Sequence, residues 1–372
     1  MSELKLTVPQ MYAEGRDKQF IEAFQQDTSD LINYAEVEQV GNVEVHLVPI
    51  SGTREFGHRQ ARKEEIIASE DTYGWRAMRP VIMDDWAEIN TVDPHFLDNL
   101  PINLTRIAVS QGKAAARATD SILMGTCTCT DKNSKVYGEK IVRTSTTIHT
   151  DAVTNSPYKG GTPSGIFGTA YEGKYGDNPV ELGLQPIVLG SDTPLEKYTD
   201  FTASTVLNLA KTPVISVNYT GTGTPALCGL TPEKLTAAIT GMRARKATGQ
   251  LVLAITHMQA LQLMNDEKMR NMLYGYQVLK NGLPDTLMGC KLLITDHVPL
   301  VDIGGRWVRA CTLYHKPDLV YGIWQNVQFQ VKEPGNMKST LYAGATMMMG
   351  ATRRRDAAFI NILCDEGIAA DA

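Results

Sequence analysis

A mostly apolar stripe at helical spacing constrains the fold of this chain more than any other feature of its sequence. Its members recur at steps of three and four residues, as one face of a single helix does: Leu97, Leu100, Leu104, Ile107, Gln111, Ala115, Ala118 and Ile122. Pro101 suits a first helical turn and Gly125 suits a helix end. Residues 101–124 are therefore predicted to form one helix about 36 Å long.

The composition allows a large core and argues against one class of protein. The chain has 372 residues, of which 43% are hydrophobic, enough for two compact domains or one elongated domain. Its 36 Lys and Arg stand against 41 Asp and Glu, which gives a formal net charge of −5. A dedicated duplex-DNA binder gains much of its affinity from a basic face, so this balance disfavours that class.

The cysteine pattern and the hydropathy of the chain indicate the cellular compartment in which it folds. Six cysteines are scattered over the whole length, unlike the dense disulfide framework of small secreted proteins, and a reducing cytoplasm is the simpler interpretation. The N-terminus lacks the apolar segment of a signal peptide, and no run of about 18 apolar residues occurs. We expect neither secretion nor a membrane span.

The part of the chain before the long helix predicts an arm followed by a hairpin. Apolar residues at helical spacing over 16–33 predict an amphipathic helix within an extended arm. Two strand-like flanks, one starting at Val43 and one running from Ile66 to Trp86, enclose a charged segment, which predicts a long projecting hairpin. Its tip is solvated in a monomer but suits charge pairing with a neighbouring subunit, and the candidates are Arg54, Arg59, Arg62, Lys63, Glu64 and Glu65.

Strands and short helices are predicted after the long helix. Residues 136–150 favour strands, and the Gly- and Pro-rich residues 151–200 favour loops. A second unit is predicted to begin near residue 201. Within it, Thr231 caps one helix, and Thr256 with Gln259 forms a capping box for the next helix. Returning strands complete an α+β order, and the absence of an internal repeat disfavours solenoids and propellers.

No set of residues predicts catalysis or a metal site. The segment from Gly168 to Lys174 has the glycine spacing of a phosphate-binding loop, but Tyr175 stands where a hydroxyl must reach magnesium. Cys127 and Cys129 are too close together for a usual zinc half-site. Asp84 and Asp85 are adjacent, so they point to different faces of a regular element. We expect no catalytic residue, no cofactor and no metal, and hence no enzyme.

The one concentrated basic run follows three methionines near the C-terminus. It consists of Arg353, Arg354 and Arg355. A solvated face or salt bridges between subunits is the favoured interpretation, and contact with nucleic-acid phosphates is the alternative.

Several blocks of the sequence together resemble one family. They are Tyr73–Arg76, Asp84–Trp86, Gln111–Asp120, Leu251–Met264 and Gly350–Arg353. In this order they resemble phage capsid-like proteins of the Hong Kong 97 fold. The resemblance implies an N-terminal arm (1–42), an extended loop (43–90), a peripheral domain (91–200 with 325–372, including a spine helix at 97–124) and an axial domain (201–324).

The resemblance also implies a function for the chain. It would be the major capsid protein of a tailed bacteriophage, which forms hexamers and pentamers and encloses double-stranded DNA in an icosahedral head. Such a protein is located in the virion, after assembly in the host bacterial cytoplasm and without a membrane. Its partners would be further copies of itself, a portal, a separate scaffolding protein and optionally a decoration protein. Packaged DNA would touch the wall by weak non-specific contact, because a wall along which DNA slides should not bind it tightly.

Two other functions stay open at this point. An encapsulin-like compartment shell shares the fold but packages enzymes instead of DNA. An αβ enzyme using the region around Lys174 and His257 is disfavoured, because no acid, base, nucleophile or metal set accompanies those residues.

Overall fold

The structure is a computed structural model, in which the described residues form two compact units. It describes residues 26–43, 46–51, 73–78, 80–90, 104–142, 174–175, 178–179, 214–221, 226–247, 249–270, 285–302, 306–332, 340–355 and 358–369. Unit 1 comprises the described residues within 1–29, 81–119 and 325–349, and unit 2 comprises the described residues within 30–80, 120–324 and 350–372. These units group the chain differently from the four segments suggested by the sequence, whose boundaries stay a prediction.

The strands and helices are numbered in chain order. The strands are β1 Glu36–Gln39, β2 His46–Ser51, β3 Tyr73–Met78, β4 Val81–Asn90, β5 Thr126–Thr128, β6 Lys140–Val142, β7 Lys174–Tyr175, β8 Asn178–Pro179, β9 Val214–Ile215, β10 Leu251–Ile255, β11 Thr286–Leu287, β12 Cys290–Ile294, β13 Leu300–Asp302, β14 Arg306–His315, β15 Leu319–Lys332, β16 Thr340–Arg353 and β17 Phe359–Ala369. The α-helices are α1 Leu104–Met124, α2 Pro232–Ala244, α3 His257–Asn265 and α4 Glu267–Arg270. Within the described residues, none of these helices has the length and hydropathy to span a bilayer.

Unit 1 places the long helix against a sheet with the strand order β15-β16-β4. Strand β16 pairs with β4 in antiparallel register. The side chain of Gln111 on α1 donates hydrogen bonds to the carbonyls of Asp85 (3.0 Å) and Ala343 (3.2 Å). The hydroxyl of Thr119, two turns further along, lies 3.7 Å from the sulfur of Met349. The helix Leu104–Met124 confirms the predicted long helix over its described part, and these contacts hold it against the sheet.

The other face of this sheet carries a tryptophan over a glycine. Trp86 and Gly344 are directly opposite each other across β4 and β16. A Cβ atom on Gly344 would lie 2.3 Å from the Trp86 ring, so no larger residue fits there without displacing the indole. Lys332 stands over the same ring at 4.9 Å from its centroid. The Trp86 indole can therefore lie this close to β16 only because residue 344 has no side chain.

Unit 2 is built on a large mixed sheet whose centre is β14. The sheet has the order β11-β12-β10-β14-β13-β6-β5, and β17 pairs with both β14 and β9. Strand β14 pairs with β10 and β13 along one edge and with β17 along the other. All five residues of β10 are buried. The combination of helices with mixed strands agrees with the predicted α+β class.

The helix ends follow the local signals of the sequence. Gly125, with φ +67°, directly follows α1, as the left-handed conformation at a helix end requires. The side chain of Thr231 accepts a hydrogen bond from the Lys234 amide (3.3 Å) at the start of α2. The predicted capping box of Thr256 and Gln259 is present at the start of α3. These three predictions are confirmed.

The flanks of the predicted hairpin form an antiparallel pair. Strands β2 and β3 pair from His46 opposite Met78 to Ser51 opposite Tyr73. Residues 52–72, with the six charged candidates of the tip, lie outside the described residues.

The predicted arm helix over residues 16–33 is wrong at its described end. Residues 26–31 are not helical, and a 3₁₀ turn, Ile32–Tyr34, leads into β1, which pairs in parallel with β15. The carboxylate of Asp120 on α1 accepts the backbone N–H groups of Asp30 (3.0 Å) and Leu31 (3.2 Å). Because a remote side chain satisfies these amides, this stretch does not need helical hydrogen bonds.

A buried lysine connects three segments of unit 2. Lys234, in the first turn of α2, has no exposed surface. Its ammonium donates to the carbonyls of Val217 (3.0 Å), Cys228 (2.9 Å) and Leu363 (2.7 Å). An ammonium has three N–H donors, and each of them has a carbonyl partner here. The side chain therefore ties α2 to β17 and to the two loops beside it.

Replacing this lysine should destabilise the protein without a large change in core volume. In Lys234→Met the carbonyls of Val217, Cys228 and Leu363 lose the ammonium donor, although Val217 keeps the Cys228 N–H at 3.3 Å, and we expect the free energy of unfolding to fall by about 3 kcal/mol. Urea unfolding followed by circular dichroism measures the change. Lys132→Met, at an exposed turn position, is the control and should shift stability by no more than about 0.5 kcal/mol. Equal stability of Lys234→Met and the parent would contradict this role.

Candidate functional site: the arginine run and its surroundings

The three arginines of the basic run point in different directions. Arg353 is the last residue of β16, and Arg354 and Arg355 follow the strand. Arg353 is buried, with its guanidinium 5.6 Å from the centroid of the Phe359 ring. Arg354 is partly exposed, and Arg355 has 54% of its side chain exposed. One stretch of sequence therefore does not make one basic patch.

Asp318 holds the outermost arginine. Its carboxylate is buried and accepts hydrogen bonds from Nε and Nη2 of Arg355, both at 2.8 Å. The same carboxylate lies 2.7 Å from Nδ1 of His315. This bidentate hydrogen bonding to Asp318 raises the pKa of Arg355. The backbone N–H of Arg354 donates to the Asp318 carbonyl at 2.7 Å, so side chain and main chain fix the segment together.

Arg354 is paired with two glutamates of β1. Its guanidinium lies 2.9 Å from Glu36 and 3.1 Å from Glu38. Glu38 in turn lies 2.8 Å from Nε2 of His46 on β2. The carboxylates offset the positive charge of the run, which disfavours the alternative of phosphate binding. The predicted role of Arg353, Arg354 and Arg355 between subunits stays a prediction.

A buried ion-pair network was missed by the sequence analysis. Arg309 on β14 donates to Glu366 on β17 at 3.0 and 2.9 Å, and to the Val298 carbonyl at 3.0 Å. Glu366 also accepts a hydrogen bond of 2.6 Å from Gln259 on α3. Burial alone would lower the pKa of Arg309, but its bonds to Glu366 and Glu139 outweigh burial and the pKa is raised. Charged residues inside apolar strands were the available signal.

A carboxylate pair lies where the chain enters unit 2. The side chain of Asp120 on α1 is buried and already accepts the amides of Asp30 and Leu31. Partial burial, followed by the nearby charge of Asp120, raises the pKa of Asp30 above its ordinary value of 3.8. A hydrogen bond with Thr295 lowers it in part. Proton uptake by Asp30 is therefore coupled to the docking of this segment.

The residues considered for catalysis do not come together in the described structure. Asp84 accepts a hydrogen bond from the Trp86 indole N–H at 3.0 Å. His257 is exposed and lies 3.9 Å from exposed Asp296. Cys129 is buried, while residues 168–173 and the side chains of Lys174 and Cys127 lie outside the described part. Among the described residues, no group of three His, Cys, Asp or Glu could hold a metal ion.

Comparisons with known proteins find similarity to phage capsids. A family model described as phage capsid protein matches residues 186–366. The capsid of a native GTA particle is similar at a TM-score of 0.58 and 12% identity, over 97% of this chain and 99% of that chain. The capsid of Cyanophage P-SCSP1u gives 0.55 and 10%, over 93% and 91%. The mature capsid of bacteriophage PhiM1 gives 0.54 and 8%, over 94% and 91%. No curated protein matches the chain.

The carboxylate pair predicts a pH dependence of stability. The folded-state pKa of Asp30 is raised, so its contribution to stability is present in acid and is lost as the pH rises through that pKa. Asp30→Asn removes the charge and can still accept from Thr295. We expect this variant to unfold at a higher temperature than the parent at pH 7, with the difference vanishing near the ordinary pKa of 3.8. Thermal unfolding at several pH values measures it.

Asp131→Asn is the control, at an exposed aspartate that accepts the Asn133 N–H at 2.9 Å, and this variant should not raise the unfolding temperature at pH 7. A lower unfolding temperature of Asp30→Asn at neutral pH would contradict the assigned repulsion.

Proposed function

This chain has the Hong Kong 97-type capsid fold and its residues 186–366 match the phage capsid protein family, and from that premise we propose that it is the major capsid protein of a tailed bacteriophage. In this proposal it forms hexamers and pentamers that close into an icosahedral head around double-stranded DNA. It is located in the virion after assembly in the host bacterial cytoplasm.

The coverage of the structural similarity carries the proposal. The similarity to the GTA capsid takes in 97% of this chain and 99% of that chain, so it concerns the whole architecture rather than one shared domain. Fold alone does not define a function. The family match over residues 186–366 is a second, sequence-based observation that leads to the same class of protein, and both support a structural role rather than an enzymatic one.

Exposed apolar surface supports burial in an assembly. In unit 1 the side chains of Val327, Phe329 and Val331 alternate along β15 and are all exposed. Contiguous apolar surface of this kind marks contacts with other molecules. In unit 2 the strands β2 and β3 form a sheet of only two strands. Val48 and Met78 of this pair pack with Val40 and Val320, whereas a two-stranded hairpin alone is marginally stable in water, so the predicted projection would gain from a neighbouring surface.

The charge of the chain supports weak contact with packaged DNA. The formal net charge is −5, and carboxylates of the same chain pair with Arg354 and Arg355. Affinity for DNA grows with the number of phosphates that Lys and Arg side chains neutralise. A shell wall whose arginines are already paired with carboxylates should therefore bind DNA weakly. The proposed partners are further copies of the chain, a portal, a separate scaffolding protein and optionally a decoration protein.

Removal of the hairpin tip tests the proposal. Expressed with its neighbouring phage genes, the parent should give closed shells in negative-stain electron microscopy. The deletion of residues 54–65 should leave a soluble, folded body but no stable shells, because the tip no longer reaches a neighbouring subunit. A thermal unfolding curve like that of the parent controls for folding. Normal shells from the deletion variant would contradict the role of the tip. A parent protein that stays monomeric under every condition would contradict the capsid proposal itself.

The cargo separates a capsid from an encapsulin-like compartment. Purified particles should contain nucleic acid that resists nuclease until the shell is opened. When the particles are disrupted, the released nucleic acid should be double-stranded DNA. Particles that instead enclose an enzyme and no DNA would favour the compartment.

A further inference from the structure

Unit 2 contains an apolar groove beside helix α2. Its volume is about 490 Å³. The side chains that line it come from α2, α4 and two turns, and they include Tyr219, Thr236, Ala237, Thr240, Met269 and Met288. The ion pair of Glu233 with Lys268 lines it as well.

Helix α2 lines this groove with two threonines, and the hydroxyl of Thr236 lies 3.7 Å from the sulfur of Met288. Thr236 and Thr240 are exposed and one turn apart on the helix. The Thr236 hydroxyl bonds the Pro232 carbonyl at 2.8 Å, and the Thr240 hydroxyl bonds the Thr236 carbonyl at 2.8 Å. Such bonds to the preceding turn satisfy the hydroxyls within the helix. The wall formed by α2 is therefore less polar than its threonines suggest.

The lining favours a protein side chain as the occupant over a small polar ligand. Small-molecule sites place a few polar groups so that they converge on the ligand. Here the charged groups, Glu233 and Lys268, are already paired with each other. Met269 and Met288 are unbranched and polarisable, so they adapt to an inserted apolar group. An apolar centre with a polar border is the usual anatomy of a protein interface.

Helix α3 of the same unit presents an exposed apolar pair. Met258 and Leu261 are 51% and 45% exposed, although both are large apolar residues. They are three residues apart and so lie on one face of the helix. The opposite face, with Ala260 and Leu263, is buried. Neither Met258 nor Leu261 lines the groove.

We propose that Met258 and Leu261 of one copy enter the groove of the next copy of this chain. This rests on the proposed function, in which copies form closed rings. A ring requires a head-to-tail contact, for which each copy must carry two different complementary patches. Unit 2 carries both an apolar projection and an apolar groove. His257 and Asp296 lie near the projection, and Glu233 and Lys268 lie at the groove, so both patches have an acid and a base at the border.

Charge substitutions on the two patches test the contact. Leu261→Lys and Thr240→Glu each place a charge in an apolar contact, and each should lower the yield of rings and shells by at least about tenfold. In the double variant the two charges meet across the interface, and assembly should return to within about threefold of the parent. Assembly is measured by sedimentation and negative-stain electron microscopy, with scaffolding protein present.

Leu227→Lys is the matched control, because Leu227 is 46% exposed and does not line the groove. It should assemble like the parent. Normal shells from Leu261→Lys would overturn the inference while leaving the capsid proposal intact. Folded single variants that both fail, with no recovery in the double variant, would overturn it as well. Failure of the parent itself would count against the capsid proposal.

A cross-linking variant covers the case in which a charged variant does not fold. With Leu261→Cys and Thr240→Cys in one chain, a mild thiol oxidant should join the two new sulfurs of neighbouring copies. Each bond forms as two thiols lose two electrons and two protons to the oxidant. A ladder of linked oligomers on a non-reducing denaturing gel is expected, and its absence from assembled, oxidised particles would exclude the contact.

Discussion

Three hydrogen bonds from one buried ammonium to main-chain carbonyls hold helix α2 to the central sheet of unit 2. Lys234 is buried, and its partners are Val217 and Cys228 in the chain just before α2 and Leu363, which lies 129 residues later. Buried carbonyls without donors are costly, so none of the three segments can move alone. Leu363 belongs to β17, which pairs along β14, the strand at the centre of the sheet. Helix α2 and the groove beside it are thereby fixed to the central sheet.

The parts of the fold that the sequence predicted are those whose signals are local. Gly125 and Thr231 end and begin helices through groups a few residues away, so their sequence context suffices. The arm helix failed because Asp120 binds amides that lie 89 and 90 residues earlier in the chain. Strand β1 was missed for a similar reason. Its parallel partner in β15 lies almost three hundred positions later, as in Glu36 opposite Val320.

The candidate site shows the same limit at the level of side chains. Three consecutive arginines suggested one basic surface, but Arg353 is buried at the end of β16, and Arg354 and Arg355 are held by carboxylates of other segments. Arg309 and Glu366 were visible as charged residues in apolar surroundings. Their pairing depends on the register of β14 with β17, which local sequence does not specify. Sequence thus identified unusual residues, while the structure supplied their partners.

The methionines of the groove have a consequence for symmetry. A shell that contains both rings of five and rings of six uses one sequence in surroundings that are alike but not identical. The angle between neighbouring copies differs between the two rings, so a rigidly shaped contact would fit only one of them. Met269 and Met288 have flexible, unbranched side chains that can refit the same inserted group at either angle. Quasi-equivalence would then be provided by side-chain adaptability, with no change in the strands that carry the groove.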